Sequence, residues 1–282
     1  MTLENLAARY ALERDVEPGT HAWLKYVARR YGRFLGYIPT VADLNDDSVN
    51  AWLASLLEAG LARPTVKGYR GALVMLWRYA AEIDENQKLP RRLRRVKAPK
   101  PIPTAWTMQE VGLVLAQAKA LTGYYRCGVG RAEFWVAVVL ALWDSGVRIG
   151  DLLKLKWDDI GEGGVVVIRQ RKTEWPVRFR FQPNTLAAMR AIERKGSRYI
   201  FGGVVCRKWL FVTFKSLAKS AGLTGTTKKI RKSAATAVEG VQRGAASQFL
   251  GHKTTTMARD HYVDIRLLPL EQPSPPPLDH TA

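Results

Sequence analysis

The sequence predicts a mostly α-helical protein of two domains with one small β-hairpin, on three observations. Apolar residues return at helical spacing through most of the chain. Only one pair of neighbouring segments reads as strands, Val165–Arg169 and Val177–Phe181, the second alternating Val177, Arg178, Phe179, Arg180, Phe181. A basic stretch, Arg91-Arg92-Leu93-Arg94-Arg95-Val96-Lys97, then runs into Pro99, Pro101 and Pro103, a proline density that forbids a helix and favours an extended strap.

Taken in order, helices are expected over Leu3–Arg14 and Thr20–Phe34, with Pro18-Gly19 as the break between them. A third begins near Asp47-Ser48, which offers an N-cap, and runs to Gly60; a fourth begins at Pro64-Thr65 with Tyr69, Leu73, Leu76 and Trp77 on one face. These four helices make an N-terminal domain over 1–95, and a basic, Pro-rich linker follows over 96–104. The second domain, 105–266, is mixed: helices at Met108–Leu121, Arg131–Ser145 and Arg148–Leu155, the hairpin, then helices at Pro183–Lys195, Lys208–Ala221, Lys228–Gly240, Ala245–Leu250 and Thr255–Tyr262. A tail over 267–282 carries Leu267, Leu268 and Leu270 before a run of prolines. Those leucines suit docking on a second copy of the chain or folding back onto their own domain.

Composition narrows the function. With 47% hydrophobic and 24% charged residues the 282-residue chain is globular rather than disordered. No apolar run is long enough to span a bilayer, and the start lacks a signal-peptide pattern, so the chain is expected in the cytoplasm and away from membranes. Cys127 and Cys206 are expected as reduced core thiols, and with four histidines they show no zinc spacing. Charge is the informative total: 44 Lys and Arg against 25 Asp and Glu give +19. A chain this basic attracts polyanions and releases counterions on binding them, although solubility alone also accounts for such charge. The basic stretch likewise suits a strap along a phosphate backbone or a plain tether.

Four separated segments carry the chemistry. In Ser145-Gly146-Val147-Arg148-Ile149-Gly150-Asp151, Gly146 permits a tight turn, and Arg148 is expected in the first turn of a helix with Asp151 bracing its guanidinium. An arginine at a helix N-terminus is electrostatically awkward. It makes sense where the arginine and free backbone N–H groups hold an anion together. The hairpin tip, Arg169-Gln170-Arg171-Lys172-Thr173-Glu174-Trp175, can place a lysine over a ligand. Lys228-Lys229-Ile230-Arg231-Lys232 opens another helix, with Lys228 and Arg231 on one face. Last come Leu250-Gly251-His252 and, ten residues on, Tyr262. Each segment alone also reads as solvated surface.

Together and in this order, the four segments resemble the tyrosine recombinases, or phage integrases. Arg148 in S-G-V-R-I-G-D-L-L-K-L-K-W-D-D-I looks like that family's first arginine box, Arg171-Lys172-Thr173 like the hairpin with its catalytic lysine, and Arg231 in K-K-I-R-K like its second box. L-G-H-K-T-T-T-M-A-R-D-H-Y is similar to the third-box histidine and the nucleophilic tyrosine. One position departs: Lys228 stands where the family usually has histidine. It can contact phosphate but cannot supply a near-neutral imidazole.

The resemblance implies a four-helix, SAM-like core-binding domain and a mixed α/β catalytic domain closing as a clamp on duplex DNA. It implies Tyr262 as the nucleophile forming a 3′-phosphotyrosyl link, Arg148, Arg231 and His252 on the phosphate, Lys172 as general acid and Lys228 as a further cation. Lys67, Arg70, Arg91, Arg92, Arg94, Arg95, Lys97 and Arg171 are the candidate DNA contacts. No metal, ATP or other cofactor is implied, and the partners are double-stranded DNA and further copies of the chain, two per site and four in a synapse. The alternatives are a topoisomerase-like or resolving enzyme with the same chemistry, and a catalytically inactive DNA-binding regulator. A two-metal nuclease built on Asp144, Asp151, Asp158 and Asp159 is disfavoured by their helical setting beside the arginines.

Overall fold

The structure, a computed structural model, describes residues 1–84 and 86–269. Leu270 and the proline run of the tail lie outside the described residues. The chain divides into two compact units, Met1–Lys100 and Pro101–Ala282.

Among the described residues, unit one holds four α-helices: α1 (Leu3–Glu13), α2 (Pro18–Leu35), α3 (Asp46–Glu58) and α4 (Arg63–Ile83). Leu24, Tyr31, Trp52, Tyr69, Leu73 and Leu76 meet in its core. Pro18 does not break the chain as expected but opens α2, in the first turn where its missing N–H goes unneeded. The cap of α3 is Asn45, whose side chain accepts from the Ser48 N–H at 2.9 Å, rather than Asp47-Ser48.

The basic stretch is not a free strand. Asp46 Oδ2 accepts the N–H groups of Arg91 and Arg92, each at 3.1 Å. Asn50 donates to the Arg92 carbonyl at 3.0 Å and accepts from the Arg94 N–H at 2.7 Å. Val96 is buried and Leu93 packs against the same core. The apolar residues of the stretch thus face inward, and Arg91, Arg92, Arg94, Arg95 and Lys97 are exposed.

Unit two holds α5 (Met108–Lys119), α6 (Arg131–Ser145), α7 (Ile149–Leu152), strands β1 (Val165–Arg169) and β2 (Pro176–Arg180), α8 (Pro183–Arg190), α9 (Arg207–Ser220), α10 (Lys228–Val241), α11 (Ala245–Leu250) and α12 (Thr255–His261). The class is as expected, mostly helical with one two-stranded antiparallel sheet, Val165 opposite Arg180 and Ile168 opposite Val177. Helix α6 is apolar nearly all round and therefore sits centrally, with α5, α8, α10 and β2 against it.

Two helices are shorter than their periodicity suggests. After Leu152 the chain turns so that the Leu155 carbonyl can accept from the Ile200 N–H at 3.0 Å and Lys156 can pair with Tyr199, which ends α7. Helix α8 stops at Arg190 in a looser turn before Gly196, whose φ of +78° no helix accommodates. The cysteines are free as expected but exposed rather than in the core. Of the tail leucines, Leu267 is exposed, while Leu268 packs back onto its own unit, against the small core that Tyr262 also covers.

Candidate active site

The site is built on a small separate core where α10, α11 and α12 meet. Ala235, Ala246, Leu250, Ala258 and Val263 are buried there, and Tyr262 packs against them. Arg231 falls on the inward face of α10, between Ile230 and Ala234, and is only 3% exposed. A buried guanidinium needs acceptors, and its Nη1 donates to the Gly146 carbonyl and its Nη2 to that of Leu250 at 3.4 Å. Nη2 also lies 3.4 Å from His252 Nε2. The guanidinium carbon stands 4.9 Å from the centre of the Tyr262 ring, a cation–π contact. Burial pushes the Arg231 pKa down to about 10, with Tyr262 opposing and Arg148 adding to the shift, so the side chain is still charged at neutral pH.

His252 emerges from the turn after α11. Its N–H donates to the Ser247 carbonyl at 2.9 Å, and its ring lies 4.9 Å from the Tyr262 ring. Burial, then the positive charges of Arg231 and Arg148, push its pKa down to about 4. The imidazole is therefore neutral at pH 7. Since a guanidinium only donates, Nε2 is the acceptor and the ring proton is assigned to Nδ1, which is buried with no partner among the described residues.

Two glycines make this packing geometrically accessible. Gly146, at φ +56°, ends α6; a Cβ there would sit 2.4 Å from Phe249 Cε1. Gly251, at φ +64°, lies so close to the hairpin that a Cβ would fall 2.0 Å from Val177 Cγ1 and 2.9 Å from Gln170 Nε2.

Arg148 caps α7 rather than lying inside it. Its expected brace, Asp151, instead accepts the Arg171 N–H at 3.2 Å. The guanidinium of Arg148 is held by Gln170 Oε1. Among the other carboxylates, Asp144 accepts from the Gln182 N–H and the Thr185 hydroxyl at 2.8 and 2.6 Å, and Asp159 accepts from the Lys156 N–H at 2.8 Å. Both are structural acceptors.

Just past Tyr262, Asp264 is 2% exposed. Its carboxylate accepts from the Ala105 N–H at 3.0 Å and from the Arg266 guanidinium at 2.8 and 2.7 Å. The Arg266 hydrogen bonds foremost hold its pKa down at about 2. Its own N–H donates to Thr236 Oγ1 on α10 at 2.9 Å. The stretch that follows the tyrosine is thereby pinned both to the arginine-bearing helix and to the beginning of the second unit.

Of the residues singled out in the sequence, the structure thus brings Arg231, His252 and Tyr262 into one packed group, with Arg148 joined to it through Gln170. Lys172, in the hairpin turn, and Lys228, at the start of α10, are exposed and take no part in the packing described. Arg171 is exposed beside Lys172, its backbone held by Asp151. In unit one Lys67 is exposed on α4, and Arg70 Nε is occupied by the Arg94 carbonyl at 2.8 Å. Sequence reasoning missed Gln170, Gly251 and Asp264. It also gave no role to Lys232, a half-buried lysine whose pKa is lowered by burial and by Lys229, with Tyr262 acting in the opposite direction. The close L-G-H spacing was the available signal for Gly251; Gln170 and Asp264 had none.

Residues 132–267 match the Phage integrase family. Over 249 residues, 83% of this chain and 81% of the relative, the sequence is 26% identical to Tyrosine recombinase XerA of Thermococcus kodakarensis. A match at 22% identity covers 62% of this chain but spans only 43% of its relative, the "Putative tyrosine recombinase XerC" of Pseudomonas aeruginosa. In fold, the chain is similar to a lambda integrase dimer bound to a COC′ core site, at TM-score 0.72 and 21% identity over 94% of this chain and 96% of that one. It is also similar to a lambda integrase tetramer bound to a Holliday junction, at TM-score 0.74 and 21% identity over 97% and 80%.

Proposed function

We propose that this chain is a member of the phage integrase family of tyrosine recombinases, a site-specific recombinase that cuts and rejoins DNA through a phosphotyrosyl intermediate. The observation that carries the proposal is the convergence of Arg231, His252 and Tyr262, with Arg148 tied in through Gln170, from four separated stretches of sequence.

The chemistry follows from the groups present. The Tyr262 oxygen gives up its proton to solvent and attacks the phosphorus, the new P–O bond forms, and the bond to the 5′-oxygen breaks. Arg148 and Arg231 neutralise the non-bridging oxygens, a role that suits the forked N–H groups of guanidinium and asks for no metal. Neutral His252 supplies an N–H donor to the same phosphate in the tautomer that carries the proton on Nε2, once Arg231 has turned from that nitrogen to the phosphate. Lys172 protonates the leaving 5′-oxygen, and Lys228 adds positive charge at the rim. Because the protein–DNA link conserves the bond energy, religation is the reverse step and needs no ATP. The working assembly is a homo-oligomer on duplex DNA, two protomers per site and four in the synapse. The lambda integrase structures, a dimer on a core site and a tetramer on a Holliday junction, support that assembly by likeness of fold.

The test uses nicked duplexes tiled across the DNA that flanks the gene. Those that stay attached to the protein through SDS identify the cleaved site and the adduct together. Tyr262→Phe should bind the same duplex and retain none of it. A normal adduct from the variant moves the nucleophile elsewhere, and no adduct from the unaltered chain on any tile overturns the proposal.

A further inference from the structure

Gln170 is a well-connected side chain of the hairpin and has no role of its own in the chemistry above. It is 1% exposed. Its Oε1 accepts from Arg148 Nη1, and its Nε2 donates to the Leu250 carbonyl at 2.7 Å. That same carbonyl accepts from Arg231 at 3.4 Å, so one amide connects the hairpin with both arginines and with the turn that delivers His252. Its backbone closes the tip, donating to the Trp175 carbonyl at 3.0 Å and accepting from the Glu174 N–H at 2.7 Å. Lys172 sits inside that closed turn, two residues on. The fit is tight on the other side too, because only a glycine at 251 leaves room for Nε2 and Val177.

The contacts require a donor and an acceptor on one planar group of this length. Leucine has the shape and neither function. Glutamate has the acceptor, but in place of the donor it sets a second oxygen against the Leu250 carbonyl. We infer that Gln170 is a positioning residue for strand cleavage, fixing the hairpin in register with the arginine site so that Lys172 reaches the leaving 5′-oxygen. This rests on the assignment of Lys172 as general acid, and the test separates the two.

Adduct formation is measured with the full chain on the selected duplex, and on the same duplex with sulfur in place of the 5′-oxygen of the cleaved bond. Sulfur departs as a thiolate and needs no proton. A defect in proton delivery is therefore rescued by the sulfur substrate, whereas a defect in phosphate binding or in folding is not. Lys172→Ala should lose about 100-fold on oxygen and recover to within a few-fold of the unaltered chain on sulfur. Gln170→Leu should lose at least about tenfold on oxygen and show the same recovery. Gln170→Glu, which keeps a polar group at the site, covers the case in which the leucine variant fails to fold, and should behave alike. If Lys172→Ala recovers and neither Gln170 variant does, Gln170 does not position the lysine and the inference is overturned. If Lys172→Ala itself fails to recover, the assignment of Lys172 falls, and the inference falls with it.

Discussion

The two halves of the candidate site are built on opposite principles. Arg231 and His252 are buried, and the fold has met much of what burial imposes: carbonyl acceptors for both Nη atoms of the guanidinium, a pKa of about 4 that leaves the imidazole neutral, and glycines where neighbours come too close for a Cβ. Lys172 and Lys228 are exposed and lie outside that packing. A charge that must act in a dry site has to be compensated before substrate arrives, because an unpaired buried charge is prohibitive. A charge on a surface turn carries no such requirement. On the proposed roles, preorganisation is thus concentrated where phosphate charge would be neutralised, and the proposed proton donor is left on a turn aimed by its neighbours.

The sharpest way to break that contrast is to perturb one member of each half and read both activity and stability. Lys172→Ala should reduce adduct formation by about 100-fold, yet shift unfolding free energy by no more than about 0.5 kcal/mol. Gly251→Ala should do the reverse in kind. Its left-handed backbone and the 2.0 Å approach of Val177 together should cost about 3 kcal/mol, visible as an earlier urea midpoint, with adduct lost as a consequence of displaced packing. A Lys172→Ala protein that unfolds as early as Gly251→Ala would mean that the hairpin lysine is structural and the two halves are one.

A smaller effect probes the buried half alone. Folded, His252 stays neutral down to about pH 4; unfolded, it takes up a proton near 6.5. Between those values the unfolded chain binds more protons. Stability from this residue is therefore full above about 6.5 and falls as pH drops towards 4, by at most about 1.4 kcal/mol per pH unit. His252→Gln lacks the titration, so its unfolding free energy should depend less steeply on pH across that window. Parallel curves for the two proteins would mean that the imidazole is charged inside the fold.

How much of this could be read beforehand divides along the same line. The helical class, the hairpin and the four segments were legible because periodicity and residue type carry them: Arg231 between apolar neighbours, Tyr262 ten residues after His252. The partners were not legible. Asp151, three residues from Arg148, was the natural brace by helical spacing, but α7 ends after one turn because Leu155 is drawn to Ile200, and Gln170 takes the guanidinium instead. Asp264 looks like any exposed carboxylate until Ala105, distant in sequence, donates to it. Side-chain hydrogen bonds between distant segments leave no periodic trace, and it is such bonds that aim the site's charged groups.

The smallest effect concerns the exposed cations of unit one, where docking and charge can be separated. The backbone of Arg94 is held on both sides, its N–H by Asn50 and its carbonyl by Arg70, while its own side chain is exposed. If that guanidinium holds a phosphate, Arg94→Gln removes one counterion-releasing contact. The slope of log K against log salt should flatten by about 0.9, which between 50 and 200 mM salt is a difference of only about three- to fourfold. Asn50→Ala leaves every charge in place but removes two of the hydrogen bonds that seat the stretch. Binding must then order a looser strap, so affinity should fall by a similar factor at every salt concentration while the slope stays as it was. Filter-binding titrations of both variants on one duplex resolve the pair. An unchanged slope for Arg94→Gln removes this residue from the DNA contact, and a flattened slope for Asn50→Ala would show that seating the strap, and not its charge alone, decides which phosphates are reached.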